Sequence, residues 1–113
     1  MIPPIQKQLA IMQMEKYCKN RIPVHAQHQV KSKYVLEKNT ITLMESRVKW
    51  NDESIWIDIP IAKMKYEAKS MTWKLYCVRE NGKWVSYEGL EPQKDLQECI
   101  DEVELDPMYV FGG

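Results

Sequence analysis

The sequence predicts an α+β domain with an N-terminal helix, a five-stranded, mostly antiparallel β-sheet and an acidic C-terminal helix. Apolar residues recur at helical spacing near both ends and alternate with polar residues in the middle, where turn-like segments separate the strands. Short connections favour antiparallel pairing of consecutive strands, and the two helices are the available cover for one sheet face. The length of 113 residues fits a single domain, residues 1–113.

The first helix is predicted from Ile5 to about Lys19. Pro3 and Pro4 precede it, and proline suits a helix start because the N–H that it lacks would have no partner there. Ile22-Pro23 then predicts an extended exit, since the residue before proline avoids the α region.

This helix is apolar on two sides, which carry Ile5, Leu9 and Met12 on one and Ile11, Met14 and Cys18 on the other. Such a helix is either sandwiched between other elements or keeps one side for a partner. We therefore predict self-association, as a homodimer, through Ile11 and Met14.

Five strand-like segments follow, at residues 28–36, 40–50, 55–62, 73–80 and 83–87, with a loop predicted at 51–54. Period-two alternation predicts inward faces, which carry Val30, Ser32, Tyr34 and Leu36, then Ile41 and Leu43, then Ile55, Ile57, Ile59 and Ile61. Trp56 accordingly points outward. Pro60 lacks an N–H for the ladder and indicates an edge position or a bulge.

Asn81-Gly82 lies between the last two strands and predicts a hairpin with a two-residue type I′ turn. That turn would place Arg79 opposite Trp84, Val78 opposite Val85 and Tyr76 opposite Tyr87.

The C-terminal helix is predicted from one apolar stripe, Leu96, Cys99, Ile100 and Val103, opposite a face of acidic residues. Asp106-Pro107 ends this helix, and we expect the aromatic residues of 108–113 to hold an extended tail against the domain.

Cysteine usage indicates a reducing compartment, because the three cysteines form no CxxC pair. The N-terminus lacks the pattern of a secretory signal, and no apolar run reaches the about 20 residues that span a bilayer. We therefore expect a cytoplasmic protein with no membrane partner.

The net charge of zero conceals an uneven distribution. Residues 1–87 contain 15 basic and 8 acidic residues, whereas residues 88–113 contain 1 basic and 8 acidic residues. This asymmetry has two interpretations, which stay open here. The acidic segment packs near the basic sheet and neutralises it, or the basic part forms a binding face for nucleic acid.

Cys18, His25 and His28 form the one candidate for metal or nucleophilic chemistry. In an extended segment the two histidines would lie on opposite sides, and the spacing is not that of a structural zinc site. The chain also has no phosphate-binding glycine motif and no GxSxG motif. We therefore predict no metal, no cofactor and no enzymatic activity, and keep an enzyme or metalloprotein built on this segment as an alternative.

The aromatic residues suggest a binding surface. If Trp56 points outward, it can share a sheet face with Lys31, Lys33, Lys74 and Tyr76. Aromatic rings among lysines are how single-stranded nucleic acid is stacked and held. The other interpretation is that cross-strand aromatics stiffen an exposed sheet while lysine stems cover them. His25 is a further candidate binding residue.

The chain resembles a family of small bacterial proteins, the domain of unknown function 3024. The resemblance rests on an ordered set of motifs along nearly the whole chain: "RIPVH" (21–25), "QV" (29–30), Tyr34, "TLMESR" (42–47), Trp50, "LY" (75–76), "NGKW" (81–84), Tyr87, "DP" (106–107) and Phe111-Gly112. The chain departs from the family pattern at Cys77, Arg79, Glu80 and the closing Phe111-Gly112-Gly113. The resemblance implies a self-contained bacterial domain and transfers no catalytic residue.

From these observations the sequence predicts a small non-enzymatic binding or interaction module that self-associates. Single-stranded nucleic-acid binding through the basic, aromatic sheet face is the main alternative.

Overall fold

The computed structural model describes residues 1–111 and confirms the predicted α+β architecture. Its elements are α1 (Pro4–Arg21), a 3₁₀ helix (Val24–Ala26), β1 (Val30–Glu37), β2 (Thr40–Lys49), β3 (Asp52–Glu67), β4 (Thr72–Val78), β5 (Trp84–Ser86) and α2 (Leu96–Leu105). The strands pair antiparallel in the order β1-β2-β3-β4-β5. Gly112 and Gly113, at the end of the predicted tail, lie outside the described residues.

Both helices cover the same face of the sheet, which we call the inner face. The core contains Ala10 and Met14 of α1 together with the predicted apolar stripe of α2. These residues pack on inward side chains of the central strands, Ile41, Leu43, Met64, Trp73 and Leu75. We call the opposite side of the sheet the outer face. The acidic helix α2 packs on the inner face and therefore does not cover the outer face.

Three tyrosine hydroxyls attach the helices to their surroundings. Tyr34 of β1 donates to Glu15 of α1 at 2.7 Å, and Tyr87 donates to Glu102 of α2 at 2.6 Å. Tyr17 joins the two helices directly by donating to Glu104 at 2.7 Å. Each bond has a charged acceptor, which makes it stronger than a bond between neutral groups.

A bulge at Ile61 divides β3 into two parts. Leu43 pairs with Ala62 whereas Met44 pairs with Pro60, so that Ile61 has no partner on β2. Pro60 was predicted to lie at a sheet edge or at a bulge. In the structure β3 has a free edge at Pro60 and a bulge at the next residue. Before the bulge the inner-face residues are Ile55, Ile57 and Ile59, and after it they are Ala62, Met64 and Tyr66.

The three isoleucines before the bulge lie on the predicted side of the sheet but are not buried. They lie on the part of β3 that β4 does not reach, which we call the arm, and they are about two-fifths exposed. Ile61 is buried at the bulge itself.

The prediction for the free side of α1 was wrong. Met14 is fully buried against the sheet, and Ile11 is half-buried. The solvent-facing apolar side instead carries Ile5, Leu9 and Met12. Met14 is therefore a core residue, and a second copy has no access to it.

The hairpin between β4 and β5 also differs from the prediction. Val78 pairs with Trp84 and Tyr76 with Ser86, one residue away from the type I′ register. The loop is a turn closed by Gly82 N–H on Arg79 O, with only Gly82 at positive φ. Because a shift of one residue reverses the faces of a strand, Trp84 turns outward and Tyr87 is buried.

Three smaller expectations need correction. Residues 52–54 belong to β3 rather than to a loop, and the first strand begins at Val30 rather than at His28. In the C-terminal tail, Phe111 packs on Tyr87 with ring centroids 4.9 Å apart, as expected of an anchoring aromatic. Tyr109 is exposed and anchors nothing.

Replacing Met14 by Ala should lower the free energy of unfolding by about 2–5 kcal/mol, because it leaves a cavity between α1 and the sheet. Met12→Ala is the matched control on the same helix. Met12 is 66% exposed, so the control should change stability by no more than about 0.5 kcal/mol. Urea unfolding measures both, and equal effects would contradict the placement of α1.

Stability should fall in alkaline solution as two hydrogen-bonded tyrosines, Tyr34 and Tyr87, ionise. Burial, and then the hydrogen bond to Glu15, raises the pKa of Tyr34 to about 12; burial and the bond to Glu102 raise the pKa of Tyr87 to about 12. Because both folded-state pKa values exceed the ordinary 10.0, this stabilisation is complete below pH 10 and is lost as the pH rises towards 12.

Tyr34→Phe and Tyr87→Phe should each reduce this alkaline loss of stability, measured by urea unfolding on either side of pH 10. Tyr109→Phe, at an exposed position, is the control and should leave the pH profile unchanged. If Tyr34→Phe and Tyr87→Phe had the same pH profile as Tyr109→Phe, the hydroxyls of Tyr34 and Tyr87 would not contribute to the alkaline loss of stability.

Candidate functional site

The outer face of the sheet, opposite the helices, is basic and aromatic. The strand register brings onto it five lysines and three aromatic residues: Lys31, Lys33, Lys63, Lys65, Lys74, Trp56, Tyr76 and Trp84. They come from four of the five strands, β1, β3, β4 and β5. Residues that are far apart in the sequence thus form one surface because alternate residues of paired strands point to the same side.

Each aromatic ring on the outer face has an ammonium group close to it. The Nζ of Lys31 lies 4.5 Å from the ring centre of Trp56, and the Nζ of Lys63 lies 4.5 Å from that of Trp84. The Nζ of Lys74 lies 5.8 Å from the ring centre of Tyr76. These are cation–π distances. A planar ligand that stacks on one of these rings therefore has a cation beside it for an anionic group.

Two lysines of the outer face oppose each other directly. Lys65 of β3 pairs with Lys74 of β4, and like charges at such positions destabilise a sheet. Both side chains line a small groove of about 150 Å³, together with Ser70, Thr72 and the acidic Glu67. An anion bound in this groove would relieve the repulsion and would find hydroxyl donors as well.

The outer face also carries acidic residues, but the one nearest its centre is neutralised. Asp58 accepts hydrogen bonds from Lys33 at 2.7 Å and from Ser46. These two bonds hold the pKa of Asp58 below its ordinary value. Glu37 and Glu67 are the last residues of their strands and lie at the margin of the sheet.

The structure brings together five of the six residues predicted for binding, namely Lys31, Lys33, Trp56, Lys74 and Tyr76. His25, the sixth, is an exposed residue of the 3₁₀ helix between α1 and β1, and it is not part of the outer face. Sequence reasoning missed Lys63 and Lys65. Their alternation with the apolar Met64 and Tyr66 could have placed them on the outer face. It missed Trp84 because the hairpin register was predicted wrongly.

The Cys18, His25 and His28 segment does not converge on a site. His25 and His28 are exposed residues of the turn region before β1, rather than residues of a strand. Burial raises the pKa of the Cys18 thiol, which favours the neutral thiol over the reactive thiolate. Among residues 1–111, no group of three or more potential metal ligands is found.

Within the same described part of the chain, no helix is long and apolar enough to cross a membrane.

A buried charge cluster fixes the end of α1 to the sheet. Glu45 of β2 is buried on the inner face and accepts from Arg21 of α1 at 3.0 Å. Arg47 donates two further hydrogen bonds, at 3.1 and 3.0 Å, to the other carboxylate oxygen. Arg21 begins the "RIPVH" motif, and Glu45 and Arg47 belong to "TLMESR". Two motifs that define the resemblance therefore meet in a structural contact.

A family model described as "Domain of unknown function (DUF3024)" matches residues 2–113, essentially the whole chain. No curated protein and no solved structure has significant similarity to the chain.

Replacing Glu45 by Ala should lower the free energy of unfolding by about 3 kcal/mol, because it leaves the largely buried Arg21 guanidinium without a charge partner. Asp58→Ala is the control, since the Asp58–Lys33 pair is nearly half exposed. It should cost no more than about 1 kcal/mol. Urea unfolding of both variants measures the difference, and a smaller loss for Glu45→Ala than for Asp58→Ala would contradict the structural role of the cluster.

Proposed function

The chain belongs to the family of domains of unknown function DUF3024, and we propose that it is a non-enzymatic module that binds single-stranded nucleic acid on the outer face of its sheet. The family supplies no activity, so the proposal depends on the chemistry of that face. The observation that carries it is the repulsive Lys65–Lys74 pair beside cation-bearing aromatic rings.

Charge placement supports an anionic ligand. Replacing one lysine of the Lys65–Lys74 pair by a neutral residue would stabilise the sheet, since like charges across strands cost about 0.2–1 kcal/mol. A phosphate that both ammonium groups contact in the groove beside Ser70 and Thr72 would offset this cost.

The spacing of the rings supports an extended, single-stranded ligand. Trp56 is level with Val48 of β2, whereas Tyr76 is level with Lys63 and hence with Thr42. Six residues of β2 separate these levels, or about 20 Å along the strand. Bases that are splayed out from a single strand can stack on separate rings over such a distance, while bases inside a duplex cannot.

In this proposal, the phosphates and the bases of the ligand contact different residues of the outer face. Phosphates occupy the positions next to Lys31, Lys63 and the Lys65–Lys74 groove, and bases lie on the neighbouring rings. Stacking is tolerant of sequence because every base has a π-face, so we expect little base preference. The three free cysteines support the accompanying proposal that the protein works in a reducing bacterial cytoplasm.

Binding of a labelled oligothymidylate, followed by fluorescence anisotropy, tests the proposal. Affinity should fall with salt with a logarithmic slope of about −0.7 for each phosphate contacted. The double variant Lys65→Ala/Lys74→Ala should reduce the magnitude of that slope by about 1.4, because it removes two such contacts. Lys74→Gln should at the same time raise stability by about 0.2–1 kcal/mol, since it removes the repulsion.

Lys16→Ala/Lys19→Ala, two exposed lysines on α1, is the matched control with the same change of charge. It should leave the slope nearly unchanged. An absence of binding at about 50 mM salt would refute the proposal and leave the cation–π pairs as covers of exposed rings. Equal effects of the two double variants would refute the outer face as the site.

A further inference from the structure

The first half of β3 has a strand partner on one side only. β2 pairs along its whole length, whereas β4 joins the other side only from Lys63 onwards. In the part of the chain that the structure describes, no strand pairs with residues 52–61 from that second side. Such an edge presents unpaired backbone groups, and the features that usually protect an edge, Pro60 and the bulge at Ile61, lie at its end, so that the stretch from Ile55 to Ile59 contains neither lysine nor proline.

The same edge carries an apolar row. Ile55, Ile57 and Ile59 point to the inner side of the arm and are 43%, 44% and 39% exposed. Large apolar side chains in a contiguous exposed row are typical of an interaction surface. The edge therefore combines unpaired backbone groups with side chains that gain from burial.

We propose that a second copy of this chain pairs with this edge, antiparallel and centred on Ile57. In that register Ile57 lies opposite the partner's Ile57, and Ile55 lies opposite the partner's Ile59. All three isoleucines of each copy then form one continuous apolar row across the two strands. Such cross-strand apolar pairs are the unit by which sheets are stabilised.

This register avoids repulsion between the acidic residues of the two edges. The pairing runs from Glu53 to Ile61 of each copy, and in it Glu53 and Asp58 lie opposite the partner's Ile61 and Trp56, so that no acid opposes an acid. The neighbouring registers are worse. Centring on Asp58 places that residue opposite its own copy, and centring on Ile55 places Asp52 opposite Asp58. Centring on Trp56 pairs Ile55 with Ile57 but leaves Ile59 opposite Glu53, so that one isoleucine of the row in each copy loses its apolar partner. A second copy in the Ile57 register is therefore the occupant that fits.

This arrangement makes the two sheets continuous. A twofold axis through Ile57, perpendicular to the sheet, keeps the outer faces of both copies on the same side, because paired residues point to the same side. The two Lys31–Trp56 pairs are then neighbours across the junction. The dimer would double the length of the outer face, but its formation does not depend on whether that face binds nucleic acid.

Light scattering of the full chain over a range of concentrations, without nucleic acid, tests the inference. The wild type should form a dimer, and Ile57→Lys should raise its dissociation constant at least about 30-fold. Leu9→Lys, on the exposed apolar side of α1, is the matched control and should leave the dimer intact. A strict monomer at the highest concentration would overturn the inference, as would a dimer that Leu9→Lys breaks and Ile57→Lys does not.

Cysteine cross-linking tests the register in a Cys18→Ser background, in which the remaining cysteines are buried. Ile57→Cys should form a disulfide-linked dimer on oxidation, because directly opposed residues have Cα atoms about 4.5–5.5 Å apart, within disulfide range. Ile55→Cys alone faces Ile59 and should not cross-link, whereas Ile55→Cys/Ile59→Cys should. Cross-linking of Ile55→Cys without that of Ile57→Cys would overturn the proposed pairing. Circular dichroism checks that each variant is folded.

Discussion

The extra residue at Ile61 lets a single strand, β3, belong to both halves of the sheet. Before it, odd-numbered residues of β3 face the helices' side, and after it even-numbered residues do. Without this bulge, Trp56 would share the inner side with Met64 and Tyr66. The composition of the outer face therefore depends on one local irregularity. The same irregularity lies where β3 passes from the arm, with a free edge, to the paired part of the sheet.

The two faces of the sheet differ because both helices cover only one of them. The inner face is fixed by burial, by three tyrosine–glutamate hydrogen bonds and by the buried Glu45 with its two arginines. The outer face keeps features that cost stability, above all the opposed Lys65 and Lys74. In a fold that is otherwise locally consistent, a surface that keeps a destabilising charge repulsion is a candidate for a functional site.

Patterns carried by a single element predicted the structure well. The stripe Leu96, Cys99, Ile100 and Val103 is buried as expected, because one helix with one apolar side has only one way to face a core. The first helix, with two apolar sides, was oriented wrongly, since periodicity cannot rank two sides. The Asn81-Gly82 turn was also predicted wrongly. Burial of Tyr87, which packs on Phe111 and bonds Glu102, accompanies the register that formed instead.

The sequence by itself determined the order of the elements, the antiparallel sheet, the outward direction of Trp56 and most of the lysines that accompany it. These follow from local period and from short connections. Only the tertiary structure decided which side of α1 is buried, that Trp84 lies on the outer face, and where β3 is left without a strand partner. Each of these depends on contacts between elements that are far apart in the sequence, and no local pattern of residues encodes those contacts.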